Sequence, residues 1–434
     1  MLNVNVKQNE MDPEFHNGTS HTEFRLNDLN VTYLASMRLA NVCAFATGAE
    51  NVAYNRACGV KALISSITLY DGSIVLAQLN NAGPYLAFKG INRNNSDQRD
   101  KRKVNLDTVA MMNGSVAGTQ NLNQIREATT QLIGGAGSTE ANATKGYIDL
   151  SELLHELRSL RYLPTSVFKN LRLYIQWNTD PAAVLGGLRA DIPALTIGRP
   201  MLVVDMIADP KVQSQLLSSI RQTSMIAIEN ERVTIPTIDA NAAITKTTDL
   251  VLKGYDNKTL RRILLVNSPT DAVEGVIETE SNGNAATNKP ILCNGRLNSL
   301  AQNNLKVQLT VNGANLFNGN GLTGHNRRAA VLADTFGDII LTPYGNSVGV
   351  YGVNTNNGAA HGQVGYAFGR DYTGFSVNAA IRTLQLSYTR TGLAIGDVSI
   401  LRPQAMNQQL DLNIYAEVIK IFRIGDGGYN IAYI

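Results

Sequence analysis

The segment from Tyr147 to Asp180, YIDLSELLHELRSLRYLPTSVFKNLRLYIQWNTD, carries the two periodicities on which the fold prediction rests. Its first half repeats leucine at helical spacing, which predicts a short amphipathic helix with one apolar stripe. The stripe consists of Leu150, Leu153, Leu154, Leu157 and Leu160. Asp149 is placed as the N-cap, Glu152 three residues later completes a capping box, and Pro164 marks the end of the helix.

The second half of this segment changes to a period of two, which is typical of a strand with one buried face. Apolar side chains at 171, 173, 175 and 177 alternate with Arg172, Tyr174 and Gln176. Trp177 is therefore interpreted as a core residue. A short helix that leads directly into an alternating strand fits a helix lying across the end of a β-sandwich.

Length and composition describe a globular chain with a weakly charged surface. The 434 residues exceed the size of one ordinary core, so two or three domains are expected. The net charge is only +3, from 38 basic and 35 acidic residues, which argues against a nucleic-acid groove. The 37 glycines and frequent asparagines predict many turns between short strands.

The sequence contains no segment that indicates membrane insertion or secretion. The polar start MLNVNVKQNEMDPEF has no secretory apolar region, and no window approaches the ~18 apolar residues of a membrane span. The three cysteines, Cys43, Cys58 and Cys293, lack the spacing of metal ligands. They fit a reducing compartment or a structural protein without disulfides.

Further strands are predicted before and after the opening segment. GVKALISSITLYDG (59–72) is a β-rich run that ends in an Asp-Gly turn, and RPMLVVDMIADP (199–210) is another strand. The early part of SIVLAQLNNAGPYLAFKGINR (73–93) is interpreted as helical and broken at Gly83-Pro84. VQSQLLSSIRQ (212–222) is a short linker helix.

The order of elements then repeats in the second half of the chain. NLKVQLTVNG (304–313) is a strand that ends in an Asn-Gly turn, and FSVNAAIRTLQLSYTRTG (375–392) parallels the strand at 171–177. LDLNIYAEVIKIFRI (410–424) alternates through Leu410, Leu412, Ile414, Ala416 and Val418, as a long closing strand does. This repeat predicts two like-built sandwiches. We assign 1–25 to an extended N-terminal arm, 26–210 to the first sandwich and 211–434 to the second.

Four segments are predicted to be long loops, at 92–103, 112–146, 270–300 and 345–375. The first is a charged tip, NRNNSDQRDKRK, whose basic residues are diluted by two aspartates. A solvated surface loop is therefore favoured over a polyanion contact.

Motifs associated with cofactors, metals and catalysis are weak in this sequence. Gly319, Gly321 and Gly324 satisfy G-x-G-x-x-G, but the alternating β/α pattern that a dinucleotide site needs is missing around them. His155-Glu156 begins like a zinc-protease helix, yet Ser159 stands where the second histidine would be. The remaining histidines, His16, His21, His325 and His361, are scattered.

Paired carboxylates for glycoside hydrolysis remain open, because their separation depends on the tertiary structure. The candidates are Asp205, Glu229, Asp334 and Asp411, which are equally suited to turns or strand edges. We therefore assign no catalytic, cofactor-binding or metal-binding residue and predict that the chain is not an enzyme. A carbohydrate-active enzyme or a glycan-binding protein on a jelly-roll scaffold is the alternative.

Three runs of the sequence resemble the double jelly-roll major capsid proteins of polinton-like viruses, virophages and related small double-stranded DNA viruses. They are YNRACGVKALISSITLYDGSIVLAQLNNAGPYLAFK (54–89), IDLSELLHELRSLRYLPTSVFKNLRLYIQW (148–177) and VQLTVNGANLFNGNGLTGHNRRAAVLADTFGD (307–338). Together they cover about a quarter of the chain in the family's order.

The resemblance implies an all-β protein of two consecutive eight-stranded jelly rolls with short helices and long loops. It further implies a homotrimer that forms a pseudo-hexagonal capsomer and tiles an icosahedral virion shell assembled inside the host cell. The expected partners are neighbouring capsomers, penton proteins and minor capsid or cement proteins. The N-terminal arm would tie capsomers together beneath the shell, and the four long loops would form towers or intersubunit surfaces.

Overall fold

The computed structural model describes residues 6–26, 30–45, 52–53, 59–92, 132–133, 139–141, 143, 145–179, 184, 195–236, 245–269, 277–279, 288–290, 305–319, 321–323, 325–336, 372–391, 410–425 and 428–434. The strands, in chain order, are β1 Val6–Met11, β2 Phe15–His16, β3 His21–Leu26, β4 Thr32–Leu34, β5 Arg38–Val42, β6 Ala44–Phe45, β7 Val52–Ala53, β8 Ile64–Asp71, β9 Ile74–Leu79, β10 Leu132–Ile133, β11 Gly146–Asp149, β12 Tyr162–Pro164, β13 Leu171–Trp177, β14 Thr196–Ile197, β15 Met201–Ile207, β16 Gln222–Ile235, β17 Thr245–Val251, β18 Thr259–Pro269, β19 Ile277–Thr279, β20 Asn288–Pro290, β21 Leu305–Val311, β22 Ala314–Asn315, β23 Leu322–Thr323, β24 Tyr372–Ala380, β25 Leu384–Thr391, β26 Leu410–Gly425 and β27 Gly428–Tyr433.

Helices are few and short in this part of the chain. The α-helices are α1 Ala82–Asn92, α2 His155–Leu160, α3 Pro210–Ser219 and α4 His325–Phe336, and 3₁₀ turns cover Gly59–Leu63, Leu150–Glu152 and Lys253–Tyr255. The linker helix predicted at 212–222 is confirmed as α3. Asp209 caps it by accepting a hydrogen bond from the Lys211 N–H at 2.9 Å, and Pro210 occupies its first turn.

Four large sheets form two sandwiches. Sheet I joins β11-β5-β15-β4-β12 with β1 added on β15, and sheet II has the order β2-β3-β13-β8-β9. Sheet III has the order β16-β26-β18-β24 with β27 added on β26, and sheet IV joins β17-β25-β21-β22 with β23 added on β21. Sheets I and II face each other as the first sandwich, and sheets III and IV form the second. Some short strands are pieces of one interrupted strand, since β4 and β5 both pair with β15.

The strand predicted at 171–177 is β13, at the centre of sheet II. It pairs antiparallel with β3 on one side and β8 on the other. Leu171, Leu173 and Ile175 are fully buried in the first core, as the alternation predicts. Trp177 is buried as well and donates a hydrogen bond from its indole N–H to Thr22 Oγ1 at 2.8 Å.

Two turns follow the predicted chemistry. β8 and β9 form a hairpin in which Asp71 pairs with Ile74, and Gly72 adopts a positive φ of 61°. Asn312 and Gly313 join β21 to β22 with φ values of 51° and 83°. Asparagine and glycine tolerate this left-handed region, which a two-residue hairpin turn requires.

The single capped helix predicted after Asp149 is wrong. Asp149 does cap the 3₁₀ turn by accepting from the Ser151 N–H at 2.9 Å, but Leu154 is extended and separates this turn from α2. Glu152 binds Lys61 Nζ at 2.6 Å instead of completing a capping box. Arg161, with φ 61°, ends α2, and Pro164 belongs to strand β12. The leucines remain buried because the broken helix still presents them to the first core.

The helix predicted early in 73–93 is also placed incorrectly. That stretch is strand β9, and α1 begins after it and contains Gly83-Pro84 in its first turn. Proline is accepted there because the first N–H groups of a helix have no partner within the helix.

The extended arm predicted for 1–25 is wrong for residues 6–25. β1 pairs with β15 from Val6↔Ile207 to Met11↔Leu202, and β3 pairs with β13. β1 is largely exposed on both faces, so its sequence shows no apolar alternation. Strand β1 is held by backbone hydrogen bonds and not by side-chain burial, so the hydropathy pattern of its sequence does not predict a strand.

Most of the four predicted long loops lies outside the described residues. Within them the structure describes the strands β10, β19 and β20 and, at their margins, the last residue of α1, the first residue of β11 and the first residues of β24. The segment at 375–392 contains two strands, β24 and β25, because residues 381–383 turn the chain between them.

We expect Leu173→Ala to destabilise the protein by about 3 kcal/mol, since it removes a fully buried side chain from the middle of β13. Urea unfolding followed by circular dichroism would measure this loss. Gln176→Ala, an exposed change on the same strand, serves as control and should cost less than about 0.5 kcal/mol. Equal effects of the two changes would contradict the placement of the core.

Candidate functional site: the junction between the sandwiches

The junction between the two sandwiches combines buried polar groups with aromatic contacts. Its centre is β26, whose residues 411–418 are all buried. The side chains on one face of β26 lie in the core of the second sandwich, and they are Leu412, Ile414, Ala416 and Val418. This confirms the alternation predicted for the closing strand at these four positions. Asn413 and Tyr415 on the other face contact the first sandwich.

A pair of hydrogen bonds joins β26 to the residues before α1. Asn81 donates from Nδ2 to Asn413 Oδ1 at 2.6 Å, and the Tyr415 hydroxyl donates to the Asn81 carbonyl at 2.6 Å. Asn81 has a positive φ of 47°, a conformation that asparagine tolerates better than most residues. Both the side chain and the backbone of this one residue therefore fix the second sandwich on the first.

Aromatic rings fill the space around these hydrogen bonds. Tyr85 of α1 packs on Tyr415 with ring centroids 5.3 Å apart, and its hydroxyl is hydrogen bonded to His155 Nε2 at 3.2 Å. Near the other end of β26, Phe168 contacts Phe422 at 5.6 Å and Tyr429 at 4.9 Å. Aromatic pairs at such distances add to the stability gained from burial alone.

The apolar core is continuous across the junction. The hydrophobic cluster of the first sandwich also includes buried side chains from the second, namely Met225, Ile228, Leu264, Val266, Leu332, Phe336, Tyr415 and Phe422. Burial of this apolar surface holds the two sandwiches together as one unit.

Acidic side chains at and around the junction are paired with basic or hydroxyl groups. Lys258 Nζ lies 2.6 Å from Glu229 Oε2, and Arg262 Nε lies 2.6 Å from Glu417 Oε2. Tyr429 donates its hydroxyl to Asp71 Oδ2 at 3.0 Å, and burial together with this carboxylate raises the pKa of Tyr429. Each of these acidic groups therefore has a partner within the fold.

The carboxylates considered as candidates for glycoside hydrolysis lie on different elements. Asp205 on β15 binds Arg38 at 2.7 Å, while Glu229 on β16 binds Lys258. Asp411 on β26 is paired with Arg232 and also accepts a hydrogen bond from Thr234 at 3.0 Å. Asp334 is exposed on α4. Three of the four therefore act in ion pairs, two of them between neighbouring strands and one with Lys258, which directly precedes β18.

The glycine motif and the histidine motif also have structural explanations. β21 pairs antiparallel with β22, β23 and β25, so the strand before Gly319 and Gly321 is not part of the parallel β-α-β unit of a dinucleotide site. In the described parts of the chain, no group of three or more His, Cys, Asp or Glu side chains could hold a metal ion. Cys43 is a buried free thiol, and burial raises its pKa to about 11.

No helix within the described ranges is long and apolar enough to cross a membrane. Several large apolar side chains are nevertheless exposed. They are Val6, Phe15, Ile74, Val75, Val251, Tyr433 and Ile434, of which Val251 is the most exposed at 59%. Such side chains are candidates for contacts with other molecules.

Sequence reasoning missed the junction itself. The alternation identified only the apolar face of β26, and the residues between these positions, Asp411, Asn413, Tyr415 and Glu417, are buried as well. The partners of this face, such as Asn81 and Tyr85, lie more than 300 residues away in the sequence. A single sequence contains no local signal for that pairing.

We expect Tyr415→Phe to lower the free energy of unfolding by about 1 kcal/mol, because it leaves the Asn81 carbonyl without its hydrogen bond but keeps the ring contact with Tyr85. Chemical unfolding would measure the change. Tyr162→Phe on β12, outside the junction, is the matched control and should have little effect. A Tyr415→Phe protein as stable as the unchanged protein would contradict the role of this hydrogen bond.

Comparison with known proteins gives results for structure but not for sequence. The sequence matches no protein-family model, and a search of curated proteins finds no match either. The structure resembles a chain of the PBCV-1 virus capsid with a TM-score of 0.61 at 12% identity, covering 99% of this chain and 97% of that one.

Two further matches come from virophages. A chain of the Sputnik virophage gives a TM-score of 0.57 at 11% identity, covering 99% of this chain and 88% of that one. The mavirus major capsid protein gives 0.53 at 9% identity, covering 98% and 90%. These likenesses extend over both sandwiches and confirm the predicted architecture. The chain has the all-β double jelly-roll fold.

Proposed function

We propose that this chain is a major capsid protein whose copies form trimeric, pseudo-hexagonal capsomers and tile an icosahedral virion shell. The observation that carries the proposal is the likeness to the PBCV-1 capsid chain over 99% of this chain and 97% of that one. A partial likeness would be compatible with a jelly roll used for another purpose, since one fold serves many functions. A full-length likeness to a capsid chain favours the structural role.

The described residues support this role chemically. The acidic side chains at strand positions Asp205, Glu229 and Asp411 are bound by Arg38, Lys258 and Arg232, as expected for groups that hold a scaffold rigid. A catalytic acid or base would instead be available to a substrate. The ion pairs therefore favour a structural protein over a hydrolase on the same scaffold.

The rigid junction between the two jelly rolls also supports the capsid role. A capsomer that tiles a shell needs its two jelly rolls in a constant relative orientation, since intersubunit contacts are specific to geometry. The continuous apolar cluster and the Asn81 hydrogen bonds supply such an orientation. We propose that the two domains meet near residue 211, where α3 links β15 to β16.

The exposed apolar side chains are available for subunit contacts. Ile74 and Val75 are adjacent on the β8–β9 hairpin, and Val251 ends β17. A self-assembling chain would cover part of this surface in the trimer and between capsomers. We propose the homotrimer, neighbouring capsomers, penton proteins and minor capsid or cement proteins as partners. Assembly takes place inside the host cell, and the protein then resides in the virion.

Light scattering of the purified full-length protein tests the proposal, together with negative-stain images of the same fraction. We expect a mass near three times 46.9 kDa and particles with a pseudo-hexagonal outline. The mass should persist on dilution and at high salt, because apolar contacts are screened little by ions. A monomer of 46.9 kDa across all concentrations and salt conditions would contradict the proposal.

A further inference from the structure

Glu156 is a buried acid at the contact between the two sandwiches. It lies on α2 of the first sandwich, and its side chain is only 1% exposed. Lys420 on β26 of the second sandwich is 7% exposed, and its Nζ lies 3.8 Å from Glu156 Oε1. Within the described residues, neither carboxylate oxygen of Glu156 has a hydrogen bond of normal geometry. The pair is therefore close enough for electrostatic attraction but is not locked by hydrogen bonds.

Lys420 belongs to a wider set of charges on the second sandwich. Its Nζ lies 5.0 Å from the centre of the Tyr433 ring, and Lys258 Nζ lies 4.3 Å from the same ring. Glu229 accepts a hydrogen bond from the Tyr433 hydroxyl and binds Lys258. Glu229 is therefore paired with Lys258, and Lys420 is the cation that interacts with Glu156.

Among the residues that the structure describes, the other elements packed around α2 provide no second cation directed at Glu156. Strand β9 presents the backbone of Gln78 to the carboxylate. The charged and titratable groups on the neighbouring elements have other partners. His155 is hydrogen bonded to Tyr85, and Glu152 to Lys61. Arg232 forms an ion pair with Asp411, Glu417 forms one with Arg262, and burial together with the charge of Glu231 raises the pKa of Tyr255. Arg158 and Arg423 complete the charged residues on α2 and at the end of β26.

Burial controls the ionisation of Glu156. Removal from water disfavours the carboxylate and raises the pKa of Glu156 from 4.5 to about 7, Lys420 opposes this effect, and the negative charge of Glu229 adds to it. When the junction opens, the carboxyl group meets water and returns to its ordinary acidity. Closure of the junction is therefore linked to the uptake of a proton.

We propose that Glu156 and Lys420 form a proton-operated latch between the two jelly rolls, which tightens as the pH falls below neutral and loosens as the pH rises. The sign follows from the carboxyl group keeping its proton in the closed state. Below about pH 4.5 both states are protonated, and the closed state has its full advantage. This advantage is lost as the pH rises through about 7, where the closed junction must hold a buried carboxylate. The latch is a property of the single chain and does not depend on the proposed capsid role.

Hydrogen exchange of the full-length protein at several pH values tests the latch, with rates converted to protection factors to remove the intrinsic pH effect. We expect protection of the amides in 155–160 and 410–425 to fall by up to about tenfold per pH unit between pH 5 and 7, as linkage to one proton requires. Glu156→Gln, which stays neutral, should remove this dependence and should be at least as protected at pH 8. Glu10→Gln on the exposed strand β1 is the matched control and should behave like the unchanged protein.

A second variant and a second readout separate this latch from a general loss of packing. Lys420→Met removes the cation that favours the carboxylate in the closed state. The fall in protection should therefore begin at the same pH as in the unchanged protein but continue to a higher pH, because only the upper end of the range depends on the closed state. The infrared band of a protonated carboxyl group should be present at pH 6 in the unchanged protein and be reduced in Glu156→Gln. Unaltered pH dependence in Glu156→Gln, or no shift in Lys420→Met, would overturn the proposal.

Discussion

The burial of both faces of β26 is the constraint on which the arrangement of the two jelly rolls depends. A strand in one of the antiparallel sheets of a sandwich would normally expose its outer face to water. Here that second face carries Asn413 and Tyr415, whose polar groups reach Asn81 of the first jelly roll at 2.6 Å. Because a buried polar group without a partner is costly, the two sandwiches can meet stably only where these hydrogen bonds form. Hydrophobic contact supplies the attraction, and the polar groups select the position.

The strands that bury one apolar face could be predicted from the sequence. β13 and β26 show clean alternation, and the Asp-Gly and Asn-Gly turns mark the hairpins after β8 and β21. The strand β1 could not be predicted, because it is fixed by backbone pairing with β15 and buries little side-chain surface. The leucine run after Asp149 predicted burial correctly but not the helix, because Leu154 adopts an extended conformation between two short helices.

The candidate site was harder to predict than the fold. Asp205, Glu229 and Asp411 were candidates because they are carboxylates, and only the tertiary structure shows that each is paired with a cation from another part of the fold. Glu156 entered the sequence analysis only as part of a histidine motif, although its side chain is only 1% exposed at the junction. Contacts between residues as distant as Glu156 and Lys420 leave no pattern in a single sequence. The resemblance of several runs of residues to capsid proteins predicted the fold. The contacts at the junction are visible only in the structure.

The shared core makes the two jelly rolls one cooperative unit. The single tryptophan allows a direct test of this cooperativity. Trp177 lies in the first jelly roll, whereas Leu386 is buried in the core of the second. The fluorescence of Trp177 should follow urea unfolding of the unchanged protein and of Leu386→Ala. If the two jelly rolls unfold together, Leu386→Ala will move the Trp177 transition to clearly lower urea concentration, by an amount that corresponds to about 3 kcal/mol. A Trp177 transition that stays in place while circular dichroism shows earlier unfolding of the remaining strands would contradict the claim.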